Sequence, residues 1–447
     1  MKFEFKPIGN FFRLQKGLGY LGKHLSDSTT GLVGLNSFLP GGGYKYGGEK
    51  PYSGPYKPEH EALPGDLFIA TTDITQDGRV LASPFLLPDK VANFEKMIFS
   101  GDIVKAVQIN EGLLPEFLFN ILRVQKFRSQ AAYASTGTTV RRIPSDFVES
   151  ISIPVPPVAL QRVINSCLRS VDQKIHMNVQ LSKTLEDIAH TIFRSWFIDF
   201  DPVKDKMAGE TPVGMDAETD ALFPDSMEDS ELGLIPEGWT VKSLFDFGLE
   251  IESGSRPKGG VKGILSGVPS IGAESINGLG VFEFSKTKFI SEEFYEKMNK
   301  GKPKDFDVLL YKDGGKPGEF KPRVGMYGLG FPFKRFALNE HVFLLRANLL
   351  GQPFTYFWIR LERTLDILRN RGIKAAIPGI NQQDVGTIPT IFPGKEVLDK
   401  FDEIAFPYIK LILTLASESL ELAKLRDALL PRLISGELQI PDEMPVS

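Results

Sequence analysis

From Pro157 to Phe197 the chain is polar except for a stripe that returns every three to four residues: Ile164, Leu168, Val171, Ile175, Asn178, Ser182, Leu185, Ala189, Ile192, Trp196. A spacing of 3.5 held for about five heptads predicts a long helix with a coiled-coil seam. Adding 237 to each position gives Phe401, Ala405, Tyr408, Ile412, Leu415, Ser419, Leu422, Arg426, Leu429 and Leu433, a second stripe in the same register. Asn178, Ser182 and Ser419 are polar residues on the seam that can set register, and Arg426 is expected to reach past its neighbours to solvent. Each helix of about 40 residues spans about 60 Å, and Pro407 is expected to kink or interrupt the second. Two such helices in one chain pair most simply antiparallel, as a spacer. The alternative is that each packs on its own domain as an amphipathic surface helix.

The 237-residue offset extends upstream, from 114–197 onto 351–434 without a gap. Before each helix lies a stretch rich in Gly, Pro, aromatic and β-branched residues, with short apolar runs such as Leu67–Ala70 and Val308–Tyr311 that predict strands. A helical segment closes each stretch, Leu113–Ser129 in the first copy and Gln352–Arg371 in the second. The predicted fold is therefore α+β: two globular heads and two long helices in a pseudo-two-fold repeat. The expected boundaries are a first head over 1–155, its helix over 156–200, a connector over 201–235, a second head over 236–393, its helix over 394–436 and a tail over 437–447. The connector has no periodicity and ten acidic side chains, and is expected to be a flexible acidic linker.

With 447 residues the chain has length for several domains. Its formal net charge of −4 argues against nucleic acid until it is divided along the sequence. Residues 1–155 carry 17 basic and 15 acidic side chains and 236–393 carry 22 and 17, whereas 201–235 hold 2 against 10 and 394–447 hold 6 against 10. The heads are mildly basic, and the negative charge lies between and after them. The longest apolar runs are too short to cross a membrane, no basic-then-apolar leader opens the chain, and a cytoplasmic protein is expected. One cysteine, Cys167, sits on the helical stripe and reads as a packed core thiol. The five histidines lack metal-ligand spacing, so no metal site is expected.

No phosphate-binding loop, nucleophile elbow, zinc-protease helix or Cys/His pair at catalytic spacing appears, which points to recognition without catalysis. Basic and aromatic residues recur on Gly- or Thr-bearing loops, where they can reach phosphates or base edges. In the first head these are Tyr44, Lys45, Tyr46, Lys50, Thr138, Arg141 and Arg142. In the second they are Ser255, Arg256, Lys258, Lys312, Lys316, Arg371 and Lys374.

The run Phe193-Arg194-Ser195-Trp196-Phe197-Ile198-Asp199-Phe200-Asp201-Pro202-Val203 resembles the close of the central conserved region in specificity subunits of type I restriction-modification systems. Leu429-Leu430-Pro431-Arg432-Leu433-Ile434-Ser435-Gly436-Glu437-Leu438 resembles their distal conserved region, and Ile235-Pro236-Glu237-Gly238-Trp239 resembles the entry to a second target recognition domain. The resemblance implies a non-catalytic subunit that reads a bipartite, asymmetric site on double-stranded DNA through two target recognition domains. It implies an antiparallel coiled coil that fixes the gap and docks two modification (methyltransferase) subunits, with restriction (translocase/endonuclease) subunits joining them. S-adenosylmethionine, ATP and magnesium then belong to those partners. Expected coiled-coil and docking residues are Leu168, Ile175, Leu185, Phe193, Trp196, Phe197, Ile412, Leu422, Leu430 and Leu433. The competing readings are a two-headed protein-binding scaffold and a stand-alone enzyme.

Overall fold

A computed structural model describes residues 3–73, 80–91, 93–137, 140–314, 318–373 and 378–438. The chain divides into two compact units: Met1–Lys174 with Leu422–Ser447, and Ile175–Glu421. Each unit holds one head and a stretch of both long helices.

The first head is built on an antiparallel sheet of four strands in the order Phe12–Lys16, Ile103–Gln108, Leu67–Ala70, Pro84–Leu86. Leu67–Ala70 is buried at every residue, as an all-apolar central strand requires. A second sheet contains a parallel pair, Thr30–Val33 beside Lys96–Phe99. The second head repeats this plan with Leu249–Ser253, Val342–Ala347, Val308–Tyr311, Val324–Met326 in the same order. It too has a parallel pair, Val268–Ile271 beside Ala337–Leu338.

Each predicted closing helix is two helices. Pro115–Arg123 and Gln125–Tyr133 break at Val124, with ψ 125°, and Gln352–Arg360 and Glu362–Gly372 break at Leu361, with ψ 137°. The two breaks are 237 residues apart (361 − 124). No Gly or Pro marks either, so periodicity alone joins the halves.

The long helices run from Val158 to Arg194 and from Lys395 to Ile434. Within the first unit Asp172 meets Arg426, and Ile164 and Leu168 share a core with Leu430 and Leu433. Within the second, Asn178 donates to Glu418 (2.8 Å) and to Ser419 Oγ (3.3 Å), while Phe193 packs on Phe401. Ascending positions of one helix meet descending positions of the other, so the pairing is antiparallel. The helices also pack on the heads, Ile164 and Leu168 in the core of the first and Phe193 and Phe401 in that of the second, as the surface-helix alternative expected.

Three expectations need correction. The second helix runs unbroken through Pro407, which is exposed; on that side the carbonyl left without a donor faces water. Arg426 does not escape to solvent, because its guanidinium donates to Asp172 at 2.8 Å across the seam. Residues 201–235 are folded, with helices Asp201–Met207 and Ala217–Asp220 and a hairpin of Met227–Ser230 with Gly233–Pro236. Val203, Phe223 and Ile235 from this stretch are buried in the second unit's core. Three anchors spread over short turns leave no period to read. Among the described residues no helix is long and apolar enough to cross a membrane.

Candidate nucleic-acid interface

In the first head the ends of three strands, Thr136 and the segment Arg142–Ser145 enclose a cleft of about 300 Å³. Lys16 closes its strand opposite Val104, Thr71 and Thr72 follow the strand Leu67–Ala70, and the backbone N–H of Ile143 donates to Thr71 O at 2.8 Å. Thr72 pairs with Arg142 and Asp73 with Arg141 in a short antiparallel ladder. The floor is buried, with Ile143 4% exposed and Thr72 6% exposed, while Lys16 and Arg142 are exposed at the rim. Neither of these cations has a side-chain partner among the described residues, and Asp102 lines the cleft beside them.

The second head has a cleft of about 540 Å³ at the same place. Ser253 lies opposite Phe343, and the N–H of Ile380 donates to Lys312 O at 2.7 Å, reproducing the bond from Ile143 to Thr71. By these pairings Ser253 replaces Lys16, Lys312 replaces Thr71, Phe343 replaces Val104, Asn381 replaces Pro144 and Gln382 replaces Ser145. Asn381 Oδ1 accepts from Asp384 N (3.0 Å), and Gln382 Nε2 donates to Ile251 O (2.9 Å). Among the described residues the Asn381 amino group, the Gln382 carbonyl oxygen and the Gln383 side-chain amide have no hydrogen-bond partner, and all three residues line the cleft. Lys312 Nζ lies 3.7 Å from Asp313 Oδ2 and 5.1 Å from the Phe343 ring centre.

The remaining candidates divide. Tyr44 turns inward, its ring on Phe85 at 5.2 Å and its hydroxyl donating to Glu49 at 3.1 Å; burial and the Glu49 charge push the phenol well above its ordinary range. Tyr44 is thus part of the core side of its loop, whereas Tyr46, Lys45 and Lys50 are exposed. Lys50 lines a separate cleft of about 160 Å³ with Tyr20 and Asp102. Arg141 donates to Ser135 Oγ at 2.7 and 3.1 Å, and Arg256 lies 2.9 Å from Glu340. Ser255 is held through its N–H to Leu338 O, and Lys258 is exposed. Arg371 donates to Asp384 O and to Thr387 Oγ1, which makes it a brace for the turn that carries Asn381 to Gln383. Thr138, Lys316 and Lys374 lie outside the described residues.

Most of the large docking candidates are not on a surface. Phe193 and Phe197 are fully buried and Trp196 is 6% exposed, stacked among Phe354, Trp239, Phe223 and Phe401. Leu430 and Leu433 close the core of the first unit. Leu168, Leu185 and Ile412 are buried along the seam, and Ile175 and Leu422 are half-buried. Sequence reasoning missed Lys16, Asp102 and the amides at 381–383, because strand ends and a helix-capping Asn carry no motif. The offset itself was the available signal, since 143–145 fall on 380–382.

Each unit thus carries the same plan, a four-stranded antiparallel sheet and a sheet with a parallel pair, together with stretches of two long helices. The family model of the type I restriction modification DNA specificity domain matches residues 65–187. The chain is 24% identical to the type I restriction enzyme MjaIX specificity subunit of Methanocaldococcus jannaschii over 345 residues, 74% of this chain and 71% of that one. It is 25% identical to the type I restriction enzyme HindI specificity subunit of Haemophilus influenzae over 425 residues, 85% of each. The solved type I restriction-modification S subunit from M. genitalium shares the fold, with a TM-score of 0.50 and 13% identity, across 98% of this chain and 97% of that one. Over most of its length the chain is thus similar to specificity subunits of type I restriction-modification systems, and residues 65–187 match their DNA specificity domain.

Proposed function

We propose that this chain is the sequence-reading, non-catalytic subunit of a type I restriction-modification complex acting on DNA in the cytoplasm. Each head reads one half of an interrupted, asymmetric duplex site, and the helix pair sets the gap between the halves. The observation that carries this reading is the duplication itself: the backbone of the cleft is kept in both copies while its lining is changed. A device that reads two different half-sites needs that combination of shared frame and divergent contacts.

Two modification subunits dock on the helix pair and supply S-adenosylmethionine and adenine methylation, and restriction subunits add ATP- and magnesium-dependent translocation and cleavage. Since the large aromatic residues are buried, docking falls to the exposed stripe Met177, Leu181, Thr184, Ile188 on the first helix, where Met177 is 62% exposed and Ile188 41% exposed. Residues at this i, i+4, i+7, i+11 spacing share one helix face. Co-expression with a modification subunit, followed by mapping of methylated adenines, tests the reading. A two-part sequence with a constant gap is expected. Absence of sequence-dependent methylation, together with recovery of the chain bound only to unrelated proteins, would establish the scaffold instead.

A further inference from the structure

The two equivalent clefts differ in the hydrogen bonds they can offer, and this difference deepens the proposed function, on which it rests. In the first cleft Lys16 and Arg142 present donors only, and the rim carboxylate of Asp102 presents acceptors only. In the major groove guanine shows two acceptors, N7 and O6, and its cytosine partner shows an amino donor. A site built only for a phosphate gains nothing from Asp102, whose charge repels it; a G·C edge uses all three side chains.

The second cleft keeps one cation, Lys312, which is held beside Asp313 and over the Phe343 ring, and otherwise presents amides. Asn381 Nδ2, Gln382 Oε1 and both ends of Gln383 combine donors with acceptors, which matches the adenine edge with its N7 acceptor and N6 donor. The frame beneath is the same in both heads, from the strand-end pair to the N–H of Ile143 or Ile380. The braces differ: Arg371 ties down the amide-bearing turn through Asp384 O and Thr387 Oγ1.

We propose that these equivalent clefts are the base-reading sites of the two heads, the first taking a guanine of a G·C pair against Lys16, Arg142 and Asp102, and the second taking an adenine against Asn381, Gln382 and Gln383.

The test uses the full chain in complex with its modification subunits, with methylated adenines mapped genome-wide. Lys16 and Arg142 are exposed, so Lys16→Gln and Arg142→Gln leave the fold intact, and tight co-purification with the modification subunit confirms it for each variant. Arg142→Gln is expected to lower discrimination at one G·C position of one half-site by about tenfold or more, leaving the gap and the other half unchanged. Asn381→Ala with Gln383→Ala is expected to relax an A·T position in the opposite half-site. An unchanged methylated sequence in either case overturns the inference. So does a uniform loss of methylation at all sites with a shallower salt dependence, because that is the behaviour of phosphate contacts. If the wild-type complex itself methylates no two-part sequence, the proposed function fails first; a two-part wild-type site with unaltered variants removes only the cleft assignment.

Discussion

Asp172 holds two arginines that come from different parts of the first unit. Arg123, from the helix that closes the first head, makes a bidentate pair at 2.6 and 3.1 Å, and Arg426, from the second long helix, approaches to 2.8 Å. Burial alone raises a carboxyl, but the hydrogen bonds and charges of Arg123 and Arg426 outweigh it and hold Asp172 below the usual range. Removing the carboxylate strands two partly buried cations, so Asp172→Ala is expected to cost about 3 kcal/mol in urea unfolding of this unit. Asp402 shows the opposite sign. Burial, only partly offset by Lys395 and reinforced by Asp399, pushes its carboxyl up to about 7. The folded state then binds a proton that the unfolded state releases, so this contribution is full below about pH 4 and is lost as pH rises through about 7. Asp402→Asn is expected to raise the melting temperature at pH 8, with the gain shrinking toward pH 4.

The elements meet where such residues are tightly set. Gly351 opens the helix Gln352–Arg360 at φ +80°, and a Cβ there would come 2.5 Å from Asp402 Oδ2. Gly394, before the second long helix, has φ +99° but only Glu396 nearby, at 3.6 Å. Gly351→Ala is therefore expected to destabilise by about 2–3 kcal/mol and Gly394→Ala by about 1 kcal/mol, compared by thermal unfolding. The first copy has Leu114 at the position of Gly351, with φ −75°, so the demand arises in the second copy alone. What could be read in advance followed the same division. Both helical seams and the strands Leu67–Ala70 and Val308–Tyr311 were legible, because period and short all-apolar runs report burial directly. The breaks at Val124 and Leu361 were not, since one residue with extended ψ leaves no compositional trace. Phe193, Trp196 and Phe197 were legible as important and not as buried, because only tertiary packing shows that Trp239, Phe354 and Phe401 close over them. Of the candidate interface, Arg142 and Lys312 were found through loop chemistry; Lys16 and Asn381 become visible only when the two clefts are superposed by register.

At the scale of the whole molecule, each compact unit takes part of both long helices, so neither helix belongs to one head. The proposed spacer then has a simple mechanical consequence. A heptad inserted after Lys174 and another after Glu421 keeps the seam in register and adds about 10 Å of helix, the length of about three base pairs. In the proposed reading the two half-sites belong to the heads and are untouched by this change. Mapping methylated adenines for the complex carrying both insertions tests the account most directly: it predicts the same two half-sites separated by a gap about three base pairs longer, whereas an unchanged gap with full methylation, or a change in the half-site sequences themselves, would contradict it.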